Sequence, residues 1–132
     1  MTFLDTSTLV GAVLEKHPQH AACLSALQQP DPFSDAHALA ETFATLTAFY
    51  KVPTDAAAEL TLGLQEEVVI EPLSLGDYET AVSEARQRGI MGGGIYDSLH
   101  ATFARRKGAK RVVTRNPSHF AHVAPELEIL TP

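Results

Sequence analysis

Four short apolar runs punctuate this chain, separated for the most part by longer stretches whose apolar residues recur at helical spacing. Thr2-Phe3-Leu4, Val68-Val69-Ile70, Arg111-Val112-Val113-Thr114 and Leu127-Glu128-Ile129-Leu130 have the length and apolar character of strands. Strands joined through helices cannot pair as hairpins. They need crossover connections, which produce a mainly parallel sheet with helices on both faces. A chain of 132 residues supports one such domain with a real core and is too short for two, so residues 1–132 are read as a single unit.

The helical stretches are bounded by caps and breakers. Thr6-Ser7-Thr8 supplies capping hydroxyls before Leu9, Val10, Val13 and Leu14. His17-Pro18 interrupts that helix, and Ala21, Cys23, Leu24 and Leu27 define a second, packed on the first as a hairpin and ending before Pro30-Asp31-Pro32. Ser34 or Asp35 caps a third, with Leu39, Ala40, Phe43, Leu46 and Tyr50 in register until Val52-Pro53 and Glu41 beside that stripe. Thr54 caps residues 55–64, Ser74 or Gly76 opens a helix closed by Gly89, and another runs from Gly94 to Gly108.

No apolar run approaches the roughly 20 residues that a membrane span needs, and neither a signal peptide nor an anchor is visible. The single cysteine, Cys23, cannot form an internal disulfide, and a cytoplasmic location is expected. A formal charge of −6 argues against generalised polyanion binding, yet its distribution is uneven. Residues 86–115 hold Arg86, Arg88, Arg105, Arg106, Lys107, Lys110, Arg111 and Arg115 against one acid, Asp97. Such a cluster is either helix-end complementation or a basic rim for a phosphate backbone.

In an open parallel sheet, ligands gather beyond the carboxyl ends of the strands. Asp5 and Asn116 both fall there, and each has a hydroxyl two residues away, Ser7 after the acid and Thr114 before the amide. Asp97 lies in the first turn of the helix that follows Gly92-Gly93-Gly94. A pairing that joined these strand ends would set Asp5, Glu41, Asp97 and Asn116 around one cavity. Two carboxylates about 5 Å apart repel by roughly 3 kcal/mol at an effective dielectric near 20. Three converging acids therefore call for a cation or for strongly shifted pKa values, and oxygen donors without cysteine point, for the cation, to a hard one, Mg²⁺ or Mn²⁺. Such an ion can polarise a phosphodiester and activate water. No Gly-Lys-Ser/Thr follows the three glycines, so they are read as a flexible lip and not a nucleotide loop. His17, His20, His37, His100 and His122 show no ligand spacing and are read as structural.

These residues resemble the PIN-domain ribonucleases, in particular the VapC toxins of bacterial VapBC toxin–antitoxin pairs. The resemblance runs through Phe3-Leu4-Asp5-Thr6-Ser7, the helix Ala38-Leu39-Ala40-Glu41-Thr42-Phe43, Gly93-Gly94-Ile95-Tyr96-Asp97-Ser98-Leu99 and Val113-Thr114-Arg115-Asn116-Pro117-Ser118-His119-Phe120, and covers nearly the whole chain. It implies a PIN-like α/β/α sandwich with a central, mainly parallel sheet of four or five strands. It also implies an endoribonuclease dependent on Mg²⁺ or Mn²⁺. Asp5, Glu41 and Asp97 match the family's acidic metal positions, and Asn116 matches a fourth that is often Asp. His119 stands where many relatives place another Asp. Ser7 and Thr114 are expected to support the ligands, and Arg115 and His119 to touch the RNA. The resemblance further implies homodimerisation and inhibition by a VapB-type antitoxin, with residues 43–50 and 54–64 as candidate surfaces. A second class of function is a catalytically weak PIN-like module that acts through protein binding. A phosphoryl-transfer domain of receiver or haloacid-dehalogenase type fits poorly, because position 7 is Ser where the latter needs a second Asp.

Overall fold

The computed structural model describes residues 1–132. In chain order it contains β1 (Thr2–Leu4), α1 (Thr6–Val13), α2 (His20–Ala26), β2 (Pro32–Asp35), α3 (Ala36–Ala48), α4 (Thr54–Gly63), a 3₁₀ turn (Leu64–Glu66), β3 (Val69–Glu71), α5 (Leu75–Arg88), α6 (Gly94–Arg106), β4 (Arg111–Val113), α7 (Pro117–Val123) and β5 (Glu128–Leu130). The strands form one sheet of five in the order β3-β2-β1-β4-β5, with every pairing parallel. This is the α/β/α sandwich with a parallel sheet that was expected, with the larger of the two strand counts.

Alternation along the strands divides the core in two, because successive side chains leave a strand on opposite faces. Phe3 and Val112 enter one cluster with Phe33, Ala101, Phe103 and Phe120, under α6 and α7. Leu4 and Val113 enter the other with Leu9, Cys23, Leu27 and Ala38, under α1, α2 and α3. The expected α1–α2 hairpin is tight. A Cβ added to Gly11 would collide with the Cys23 sulfur, so that helix crossing needs glycine.

Two elements were not anticipated. β2 replaces what was read as a breaker followed by a cap, because Pro32 sits at the first strand position, where its missing N–H costs little. Its residues Phe33, Ser34 and Asp35 are all buried between β1 and β3, and the Ser34 hydroxyl donates to the Leu4 carbonyl at 2.8 Å. Asp35 also caps α3 as expected, its Oδ1 accepting from the Ala38 N–H at 3.0 Å. α7 begins at Pro117, a residue whose fixed φ suits the first helical position.

α5 carries a full capping box, in which the Ser74 hydroxyl accepts from the Asp77 N–H and Asp77 accepts from the Ser74 N–H. Both Asp77 oxygens also receive Arg106, each at 2.7 Å, which ties α5 to the end of α6. The Arg106 contact, outweighing burial and aided by Ser74, holds the Asp77 carboxyl below the usual carboxylate range. A carboxyl depressed in the folded state stabilises above its unfolded pKa, and the contribution is lost as pH falls through the folded value. Asp77→Ala is therefore expected to destabilise the domain by about 2 kcal/mol at neutral pH in urea unfolding. The difference from wild type should shrink below about pH 4, and a loss unchanged at low pH would contradict the assignment.

Candidate active site

Asp5 stands where the central strand becomes a helix. Its N–H donates to the Val113 carbonyl of β4 at 3.1 Å, continuing the strand pairing, while its side chain caps α1. Oδ2 accepts from Ser7 Oγ at 2.7 Å and from Thr114 Oγ1 at 2.9 Å. These hydroxyls accept in turn from the N–H groups of Arg115, at 2.9 Å, and Asn116, at 3.0 Å. The turn after β4 thus holds the carboxylate of β1 through two hydroxyls, and all of the carboxylate's hydrogen bonds fall on one oxygen.

Glu41 comes from α3, Asp97 from the first turn of α6, and Asn116 from the residue before α7. The structure brings them together with Asp5, Ser7 and Arg115 around one cavity of about 240 Å³. His119, with its side chain 60% exposed, places Nδ1 3.1 Å from Asp97 Oδ2. Asp97 also lines a second cavity of about 470 Å³, walled by the glycine segment, Met91, His119 and His122. Burial first, then the charge of Asp5 and that of Glu41, push the Asp97 carboxyl above the usual carboxylate range against the opposing pull of His100 and His119.

His100, read from the chain as structural, touches the site directly. Its ring is 1% exposed and lies between two carboxylates, with Nδ1 2.6 Å from Asp35 Oδ2 and Nε2 2.6 Å from Glu41 Oε1. Burial alone would lower its pKa, yet the bonds to Asp35 and Glu41 outweigh burial and hold it well above the ordinary imidazole range. The one signal for it in the sequence is its place three residues after Asp97, inside the run Ser98–Ala104 that α6 buries completely. Its partner Asp35 is in view from the sequence only as a cap of α3, because its burial comes with the unrecognised β2.

The basic rim does not form at the cavity. Arg105 pairs with Glu126, Arg106 with Asp77, Lys107 with Glu71 and Arg111 with Glu128. Arg105, Arg106 and Lys107 end α6, whereas Asp97 begins it, and a 13-residue helix spans about 20 Å. Of the eight basic residues, Arg115 alone lines the cavity, with its Nε donating to Gln19 Oε1 at 2.6 Å.

A PIN-domain model matches residues 2–125. The chain belongs to the PIN-domain family. Among curated proteins none matches it. Solved structures share its fold at low identity. VapC20 of Mycobacterium tuberculosis, described as a sarcin-ricin loop cleaving toxin, is 18% identical, with a TM-score of 0.77 over 92% of this chain and 94% of that one. VapBC2 of Rickettsia felis, bound to a DNA fragment from its promoter, is 20% identical, with a TM-score of 0.72 over 99% and 98%. A toxin–antitoxin complex from Klebsiella pneumoniae is 16% identical, with a TM-score of 0.70 over 100% and 98%.

The donor chemistry of this PIN domain suits a hard cation, since carboxylates and an amide face the cavity and no sulfur does. Thr6 Oγ1, on the same wall, is buried without a partner in the protein and is suited to hold a water. No three of the histidine, cysteine and acidic side chains stand as a group able to hold a metal ion. A carboxylate raised in the folded state stabilises at low pH and loses that contribution as pH rises through its folded pKa. Metal-free Asp97→Asn is accordingly expected to melt above wild type at neutral pH, with the gain fading as pH falls toward about 4. A variant that melts lower than wild type at neutral pH would show that Asp97 does not bear the repulsion of its neighbours.

Proposed function

We propose that this PIN domain is an endoribonuclease that hydrolyses RNA phosphodiester bonds with Mg²⁺ or Mn²⁺, and that it is the toxin of a type II toxin–antitoxin pair. The observation that carries the reading is the meeting of Asp5, Glu41, Asp97 and Asn116, from four separate segments, around one cavity beside the carboxyl end of β1. The family match supports it, as do the toxins among the solved structures of the same fold. Asp5, Glu41 and Asp97 would hold the ion, and Mg²⁺ keeps several of its waters, so bonds relayed through water suit carboxylates that do not crowd one point. When bound, the ion would polarise the phosphodiester and lower the pKa of a water for in-line attack.

The chain's own residues do the positioning. Ser7 and Thr114 fix one oxygen of Asp5 and leave the other for a ligand. Asn116, as an auxiliary ligand or through its amide, orients the attacking water. Arg115, tethered through Nε to Gln19, keeps its terminal guanidinium nitrogens for a phosphate, and the exposed His119 can reach the same strand.

A homodimer and a VapB-type antitoxin laid across the cleft complete the proposal, which expects a cytoplasmic protein. No helix is long and apolar enough to cross a membrane. Phe49, 74% exposed just after α3, and Leu62, 60% exposed on α4, give these contacts apolar surface. A second reading, the catalytically weak module that binds protein, draws on one observation, the lack of a three-residue group poised for a metal.

Two measurements separate the readings. Calorimetric titration with Mn²⁺ should find a saturable site that Asp5→Ala removes, whereas the binding module would show none. Folded Asp97→Asn should lose metal-dependent cleavage of total RNA, and full cleavage by that variant would overturn the nuclease assignment.

A further inference from the structure

We propose that His100 is a positioning residue that fixes Glu41 from within the core, holding Oε1 so that Oε2 is presented to the cavity. Glu41 needs such a device. It has three side-chain torsions, stands on α3 with its side chain 29% exposed, and would otherwise sample several rotamers. Asp5 meets the same need with two hydroxyls, and the matching anchor for Glu41 is an imidazole that is 1% exposed.

The geometry of the ring distinguishes this role from core filling. Both nitrogens lie 2.6 Å from a carboxylate oxygen, and each such contact needs a proton between nitrogen and oxygen. A histidine serving only to hold β2 and α3 against α6 would need its bond to Asp35 alone. Asp35 is itself immobile, being wholly buried at the end of β2 with its other oxygen committed to the Ala38 N–H. The order of support therefore runs from the sheet through Asp35 and His100 to Glu41. His37 also approaches Glu41 Oε1, but at 3.5 Å, with its side chain 25% exposed and its ring stacked on Tyr96 at 5.0 Å. It is the looser partner and leaves the anchoring to His100.

The positioning stands on the metal-free geometry, and only its consequence for ion affinity rests on the function proposed above. Asparagine places an amide about where Nδ1 stands, and glutamine about where Nε2 stands. His100→Asn can keep the bond to Asp35 and abandon Glu41, while His100→Gln can keep the bond to Glu41. In carbon-13 spectra of the metal-free protein, the Glu41 carboxylate should give one sharp signal in wild type and His100→Gln, and a shifted, averaged signal in His100→Asn. Mn²⁺ affinity by calorimetry should fall roughly 10- to 100-fold in His100→Asn, the usual cost of losing a group that orients a ligand. It should stay within a few-fold of wild type in His100→Gln, and in a Glu41→Ala background His100→Asn should have no further effect.

An unchanged Glu41 signal in His100→Asn, or equal losses of affinity in both variants, overturns the proposal. Should either His100 variant fail to fold, nitrogen-15 imidazole spectra of wild type and Glu41→Ala decide. Two protected ring N–H protons are expected in wild type, with only the Nε2 proton exposed to exchange in Glu41→Ala. An Nε2 proton that exchanges equally fast in both proteins overturns the proposal. A wild type that binds no Mn²⁺ sinks the nuclease reading, and the metal-free spectra still settle the role of His100.

Discussion

Everything at the carboxyl edge of the sheet depends on β1 being paired on both sides. Phe3 is in register with Phe33 of β2 and Val112 of β4, so the chain segments that leave all three strands emerge together. Asp5 leaves the middle, Asp35 one flank and Thr114 the other, and each is held by its neighbours before any ligand arrives. The strands are only three or four residues long, and a register error of one residue would move Asp5, Asp35 and Thr114 out of step and remove the site. The alternation that sends Phe3 and Val112 to one core and Leu4 and Val113 to the other locks that register. A slip of one residue would exchange the faces, sending Phe3 and Val112 into the space shaped for Leu4 and Val113.

Into this apolar interior the fold admits an ionisable pair, His100 and Asp35, with side chains 1% and 0% exposed. A buried ion pair is weak evidence for stability, because desolvation offsets much of the attraction, whereas removal of one partner leaves an uncompensated charge. Between Asp35 and Glu41, His100 lies against Phe3, with ring centroids 5.7 Å apart, so its ring face packs on an apolar side chain. A leucine there would satisfy packing. What a leucine could not do is reach from the cap of α3, across the interior, to an acid on the cavity wall.

Local signals exposed much of this. The transitions at Asp5 and at Thr114-Arg115-Asn116 were legible because a strand end followed by capping hydroxyls is written within a few consecutive residues. Glu41 was legible only through its companions, since a glutamate beside an apolar stripe is common on any helix. β2 escaped because Phe33 is its one apolar side chain between two prolines and two polar residues, and the burial of Ser34 and Asp35 comes from neighbours far along the chain. His100 escaped for the same reason, as its partners lie 65 and 59 residues away. The basic cluster could be read two ways, as helix-end complementation or as a rim for phosphate, and what decides for four of its members lies on other elements, where Glu71, Asp77, Glu126 and Glu128 pair Lys107, Arg106, Arg105 and Arg111 away from the cavity.

The electrostatics of the site follow from these placements. Three carboxylates face one cavity, which Arg115 also lines, and two imidazoles reach them from opposite sides, His100 from the core and the exposed His119 from solvent. Together they offset part of the repulsion and not all of it, since burial and the neighbouring acids still leave the Asp97 carboxyl above its ordinary range. A cluster neutralised completely by its own side chains would be more stable and would have no affinity for a divalent ion. A cluster with no internal cation would drive its acids apart or keep them protonated. The intermediate state, with His100 bonded behind Glu41 and Arg115 on the cavity wall, keeps the acids close and leaves at Asp97 a repulsion that protonation relieves and that the divalent ion proposed above would relieve in its place.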